Sequence, residues 1–178
     1  MFGPAILMLK SIKDANPPSA WCHAAYGMFA TVLPYFEMIG KILNPAASSS
    51  GTAGQDFNVG FCDVYPSFRP ANDIYTDKLT ASATSGAKPP NPDIQKVVEF
   101  RDRARNGLFH VGYTKHGLII NGNESLPDID EKSGNYHVNV YKMLLTVVEH
   151  FPSAMHRIRN DGSTLTQFLK YFDTMLAS

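Results

Sequence analysis

Along most of this chain apolar residues recur at steps of three and four, the spacing that gathers them on one face of an α-helix. Pro4–Ala15, with Ile6, Leu7, Leu9 and Ile12, predicts a short first helix that Asn16-Pro17-Pro18 ends. Ser19 can cap a second helix over Ala20–Leu43. That helix is apolar on most sides (Trp21, Tyr26, Met28, Phe29, Val32, Leu33, Phe36, Ile39, Ile42), which suits the centre of a bundle or a subunit interface. Pro34 predicts a kink in it. Its one acid, Glu37, is either solvated or a partner for an arginine elsewhere.

The pattern then breaks. Asn44–Gly54, NPAASSSGTAG, has the composition of a flexible loop. Asp56–Leu79 mixes Phe57, Phe61, Tyr65, Phe68 and Tyr75 with Pro66 and Pro70, and predicts a compact irregular segment with one or two short helical turns. Its aromatics either pin the segment to the core or stack on bases. Thr80–Pro90 reads as a second polar loop.

Helical periodicity returns at Asn91–Gly112, where Asn91, Pro92 and Asp93 form a helix start and Ile94, Val97, Val98, Phe100, Ala104, Leu108 and Val111 a buried stripe. Leu118-Ile119-Ile120 followed by Asn121-Gly122 predicts a small β-hairpin over Tyr113–Leu126. Asp128–Asn135, DIDEKSGN, reads as an acidic loop. It is not a calcium loop, because Lys132 stands where an oxygen ligand should be and the glycine comes late. Val138–Ile158 predicts a long helix interrupted by Pro152. Asp161-Gly162-Ser163 stops it and caps a last helix, Thr164–Leu176, with Leu165, Phe168, Leu169, Phe172 and Leu176 inward. The expected fold is all-α, a bundle of four to five main helices with a small inserted β-hairpin.

Composition changes this picture only at its edges. A chain of 178 residues, 44% hydrophobic and 18% charged, is globular and is expected to form a single domain over 1–178. Lys+Arg and Asp+Glu are 16 each. That balance argues against a strong nonspecific nucleic-acid or membrane binder, though not against a local basic site. Cys22 and Cys62 are too few for a disulfide scaffold or a four-cysteine zinc site. The apolar opening MFGPAILMLK lacks a basic leader and is interrupted by Gly3-Pro4, and no apolar run approaches the roughly 20 residues of a membrane helix. A cytoplasmic location without membrane association is the expectation.

Nucleophile-elbow, phosphate-loop, zinc-protease and dinucleotide-binding motifs do not occur, so no cofactor or metal is expected. Of the six histidines, His23, His110, His116, His137, His150 and His156, none stands at a recognised metal-ligand spacing. His150 reads as a half-buried polar residue, His156 as an exposed one, and Arg157 and Arg159 as a solvated face. The reaction-capable cluster is in the central segment. Arg101, Arg103 and Arg105 cannot share a face, since each residue turns a helix by about 100°, whereas Asn106 and His110, four apart, can.

Arg105-Asn106-Gly107-Leu108-Phe109-His110 reads R-N-x-x-x-H, and the phrase resembles the motif of the HEPN superfamily: an arginine, a polar residue often Asn, and a histidine four to six residues on. The long helix that follows, with KMLLTVVEHF, is similar in kind. The resemblance covers about the last half of the chain. It implies an all-α bundle that often dimerises, in which Arg and His of two protomers face a shared cleft and cut RNA without a metal. Other members of the superfamily only bind or scaffold. On this resemblance Arg105, Asn106 and His110 are the candidate catalytic residues, RNA or a nucleotide the candidate ligand, and a homodimer the expected assembly. Two features depart from it: Gly112 stands where some toxin members carry tyrosine, with Tyr113 one later, and a hairpin insertion is not general in the family.

The chemistry suits these residue types. A ribose 2′-hydroxyl can attack its own phosphate, given a base near neutral pH and a cation at the crowded phosphate. Histidine titrates near pH 6.5, and arginine binds phosphate through two donors. Five residues along one regular helix would still set Arg105 and His110 about 140° apart. Convergence requires a break at Gly107 or a second protomer. The alternative is structural: Arg105 pairs with an acid such as Asp102 or Glu37, and His110 is a satisfied core histidine.

Overall fold

The computed structural model describes residues 18–43, 53–69, 92–108, 116–121 and 127–176. Five α-helices occur among them: α1 (Pro18–Leu43), α2 (Ala53–Val64), α3 (Pro92–Arg101), α4 (Val140–Asn160) and α5 (Gly162–Leu176). A 3₁₀ turn, Pro66–Phe68, follows α2 and a π-helical turn, Asp102–Asn106, follows α3. Strands β1 (Leu118–Asn121), β2 (Ile129–Lys132) and β3 (Asn135–Asn139) form one small sheet. The fold is mostly α with a small β insertion. The predicted first helix, the loop over Thr80–Pro90 and His110 lie outside the described residues.

The chain divides into two compact units, one of residues 1–33 and 102–149, the other of residues 34–101 and 150–178. In the first, the sheet has the order β1-β3-β2, β1 parallel to β3 and β2 antiparallel to it. The hairpin joins β2 to β3 through Ser133 and Gly134, both at positive φ as a two-residue turn that follows the strand twist demands. This corrects the predicted site of the hairpin. Leu118–Asn121 takes β3 as its parallel partner, and the acidic stretch expected as a loop supplies β2. Asp130, Glu131 and Lys132 hid that strand, because an edge strand tolerates and often requires charge. Its partner β3 buries Tyr136 and Val138 on alternate positions.

In the second unit the core is aromatic. Phe57, Phe61 and Tyr65 are spaced by four and share a face of α2, so the segment expected to be irregular is a full helix down to Val64. Phe36 of α1 meets Phe57 and Phe61 edge-on at ring separations of 5.5 and 5.3 Å, and Phe61 stacks on Phe100 of α3 at 4.8 Å. Two glycines allow α1 and α2 to touch backbone to backbone. A Cβ at Gly40 would stand 1.6 Å from the Asp56 carbonyl oxygen, and one at Gly60 would stand 1.9 Å from that of Phe36. Both helices that contain an internal proline continue through it, at Pro34 and at Pro152.

Helix α1 from Ala25 onward is covered within one chain: Met28, Phe29, Val32, Leu33, Phe36, Ile39 and Ile42 are all buried. Among the described residues the largest group of exposed apolar side chains is on α5, where Leu169, Phe172 and Leu176, expected to point inward, are 52%, 42% and 71% exposed. Asp161 caps this helix as predicted, its carboxylate accepting from the Ser163 amide (3.1 Å) and from the Ser163 and Thr164 hydroxyls. Those bonds, the Thr164 hydroxyl first, lower its pKa.

Candidate functional site

The three arginines of the central segment point to three sets of partners, as their spacing requires. Arg101 donates to the carbonyl of Gly54 at 3.1 Å and to the carboxamide of buried Asn58, tying α3 to the start of α2. Arg103 donates to the carbonyls of Gly117 (3.3 Å) and Gly134 (2.6 Å) and lies over the Tyr136 ring at 5.2 Å. It is the cation around which the small sheet is gathered. Gly117, at φ +87°, is needed there, since a Cβ would stand 2.7 Å from the Arg103 guanidinium.

Arg105 belongs to a local cluster. Its Nη1 donates to Asn106 Oδ1 at 3.1 Å, and Asn106 Nδ2 donates to Asp102 Oδ1 at 3.1 Å. All three side chains are half-buried. The cluster coincides with the π-helical turn, which carries one more residue per main-chain bond than an α turn. The α-helical spacing is therefore interrupted at Asp102–Asn106, and the helix resumes at Gly107 and Leu108, so the break expected at Gly107 is not seen there. His110 itself lies outside the described residues. The neutral amide of Asn106 is one of the partners of Arg105, whose guanidinium is a group able to bind phosphate.

A second polar cluster was not visible in the sequence. The Tyr35 hydroxyl lies 2.8 Å from His150 Nδ1, and His150 Nε2 lies 3.0 Å from Asp63 Oδ2. Arg157 clasps the same carboxylate through both terminal nitrogens, Nη1 at 2.8 Å from Oδ1 and Nη2 at 2.5 Å from Oδ2. A neutral imidazole with its proton on Nε2 satisfies both neighbours: it accepts from Tyr35 and donates to Asp63. Burial pushes the Asp63 carboxyl up, but hydrogen bonds from Arg157 and His150 outweigh it and hold the pKa at about 2. Burial, with the Asp63 charge added, raises the Tyr35 phenol well above its usual range. Asp63 in turn raises the Arg157 pKa, chiefly by hydrogen bonding.

His150 is half-buried and His156 exposed, as expected, but Arg157 is not simply part of a solvated face. The one sequence signal was the seven-residue spacing of His150 and Arg157, two turns on one face of α4. Tyr35 is fully buried, while the Asp63 and His150 side chains keep a small exposure. The cluster fastens α1, α2 and α4 to one another within the second unit. Glu37, left open between two roles, is half-buried near Tyr171, whose phenol it helps burial to raise.

Among the described residues no group of three or more His, Cys, Asp or Glu side chains could hold a metal ion, and no helix is long and apolar enough to cross a membrane. Comparison with protein-family models, with curated proteins and with solved structures gives no match.

Proposed function

We propose that this chain is a HEPN-type helical domain that cleaves RNA without a metal, with Arg105 and Asn106 at the scissile phosphate and His110 as its acid-base group. The observation that supports this reading is that Arg105 and Asn106, which open the R-N-x-x-x-H phrase, lie in a π-helical turn, a rare irregularity that is frequent at functional sites. The half-buried Arg105, held by Asn106, supplies a fixed cation for the phosphate, and histidine supplies a base and then an acid near neutral pH. The reading includes a homodimer in which Arg105 and His110 of two protomers share a cleft. Since α1 is covered within one chain, pairing has to use other surface, and the exposed apolar residues of α5 are the largest such group among those described.

A second reading, a non-catalytic HEPN-like dimer that binds RNA, a nucleotide or a protein, is favoured by the neutral total charge and by the engagement of Arg105 with Asn106. One experiment separates them. Purified protein is incubated with a labelled single-stranded RNA and excess EDTA. Cleavage by the parent protein and none by Arg105→Ala supports the enzyme. Binding without cleavage supports the second reading, and neither binding nor cleavage sinks the enzyme and the RNA-binding form of the second reading.

A further inference from the structure

We infer that Asp102 is a positioning residue for Arg105, acting through the Asn106 carboxamide; the inference rests on the RNA-directed reading of Arg105. A carboxamide has two unlike ends, a nitrogen that donates and an oxygen that accepts. An ionised carboxylate only accepts. Asp102 Oδ1, 3.1 Å from Asn106 Nδ2, therefore fixes which end of the amide faces it and leaves Asn106 Oδ1 for the Arg105 guanidinium. Without Asp102 the amide is free to turn its N–H groups toward the cation, and the guanidinium loses its rest.

The backbone makes this relay necessary. Adjacent residues of a helix point about 100° apart and do not normally meet. Arg105 and Asn106 nevertheless meet, at 3.1 Å, within the π-helical turn whose first and last residues are Asp102 and Asn106. All three side chains are half-buried, so water competes less for these bonds than it would at an open surface.

Charge and position act in opposite directions here, and this makes the role testable. As a charge, Asp102 repels a phosphate, and removing it strengthens RNA binding. As a positioning group, its loss misplaces Arg105, and even a displacement of about 1 Å can cost about 10²-fold in rate. Asp102→Ala removes both charge and acceptor. Asp102→Asn removes the charge and keeps an oxygen that can accept from Asn106 Nδ2.

The experiment compares kcat, KM and melting temperature for the parent, Arg105→Ala, Asp102→Ala and Asp102→Asn on one single-stranded RNA in EDTA. The expected result is a kcat for Asp102→Ala lower by about 10–100-fold with KM unchanged or reduced, and recovery of most of that loss in Asp102→Asn. Asp102→Ala at the parent's kcat, with Arg105→Ala inactive, overturns the positioning role and leaves the RNA reading intact. Equal losses in both Asp102 variants overturn it too, whatever the melting temperatures, because the acceptor is then not what matters. Parent protein without cleavage, or Arg105→Ala cleaving as well as the parent, removes the RNA reading and this inference with it.

Discussion

The two polar clusters of this protein are built in opposite ways. Asp102, Arg105 and Asn106 come from one turn of chain, and the two hydrogen bonds through Asn106 join them locally. Tyr35, Asp63, His150 and Arg157 come from three helices, and their bonds join positions as far as 115 residues apart. Bonds between neighbours in sequence close no long loop, so losing those two costs little. A long-range cluster holds helices together, and its loss is felt in stability. On the proposed reading the first serves function, while the second secures the fold.

The sharpest test of the second half is at the helix contact beneath the long-range cluster. Gly60 lies one turn before Asp63, and its position leaves no room for a Cβ against the Phe36 carbonyl. Because main chain rather than a flexible side chain must move, Gly60→Ala is expected to cost about 3 kcal/mol or more, measured by urea unfolding. A variant as stable as the parent would show that α1 and α2 are not in backbone contact. Next in size is Asp63→Ala, which strands Arg157 and His150 against a half-buried site and is expected to cost about 3 kcal/mol.

Acid should reach the same carboxylate. Its folded pKa of about 2 lies below the ordinary 3.8, so its stabilisation is complete above the unfolded value and is lost as pH falls from about 4 to about 2. The loss is about 2 kcal/mol, and unfolding curves at stepped pH should show it in the parent and not in Asp63→Ala. The smallest effect on stability belongs to the local cluster. Arg105→Ala and Asn106→Ala each remove a half-buried hydrogen bond and should change stability by about 1 kcal/mol. If they cost as much as Asp63→Ala, the division between the clusters fails.

How far the sequence could be read follows the same division. Periodic apolar positions placed α1, α3, α4 and α5, and the capping residues placed Asp161, because both signals are local. Proline and aromatic density hid α2, although the four-residue spacing of Phe57, Phe61 and Tyr65 was there to see. Charged β2 was taken for a loop because an edge strand need not alternate. The inward direction expected of Leu169, Phe172 and Leu176 failed because periodicity defines a face and not what covers it. For the candidate site, the motif was legible at Arg105 and Asn106, but the irregularity falls at Asp102–Asn106 and not at Gly107, and the bond from Asn106 to Asp102 was not legible, since it depends on which amide atom faces which neighbour. The Tyr35–His150–Asp63–Arg157 cluster depends on tertiary contact and left almost no trace.

The central claim is that the R-N-x-x-x-H phrase serves chemistry on RNA and not the fold. The most direct measurement is RNA cleavage in EDTA by Arg105→Ala and His110→Ala beside the parent, with unfolding curves on the same preparations. The account predicts cleavage reduced by about 10²–10⁴-fold in both variants with stability within about 1 kcal/mol of the parent. Undiminished cleavage by a folded His110→Ala protein would contradict it.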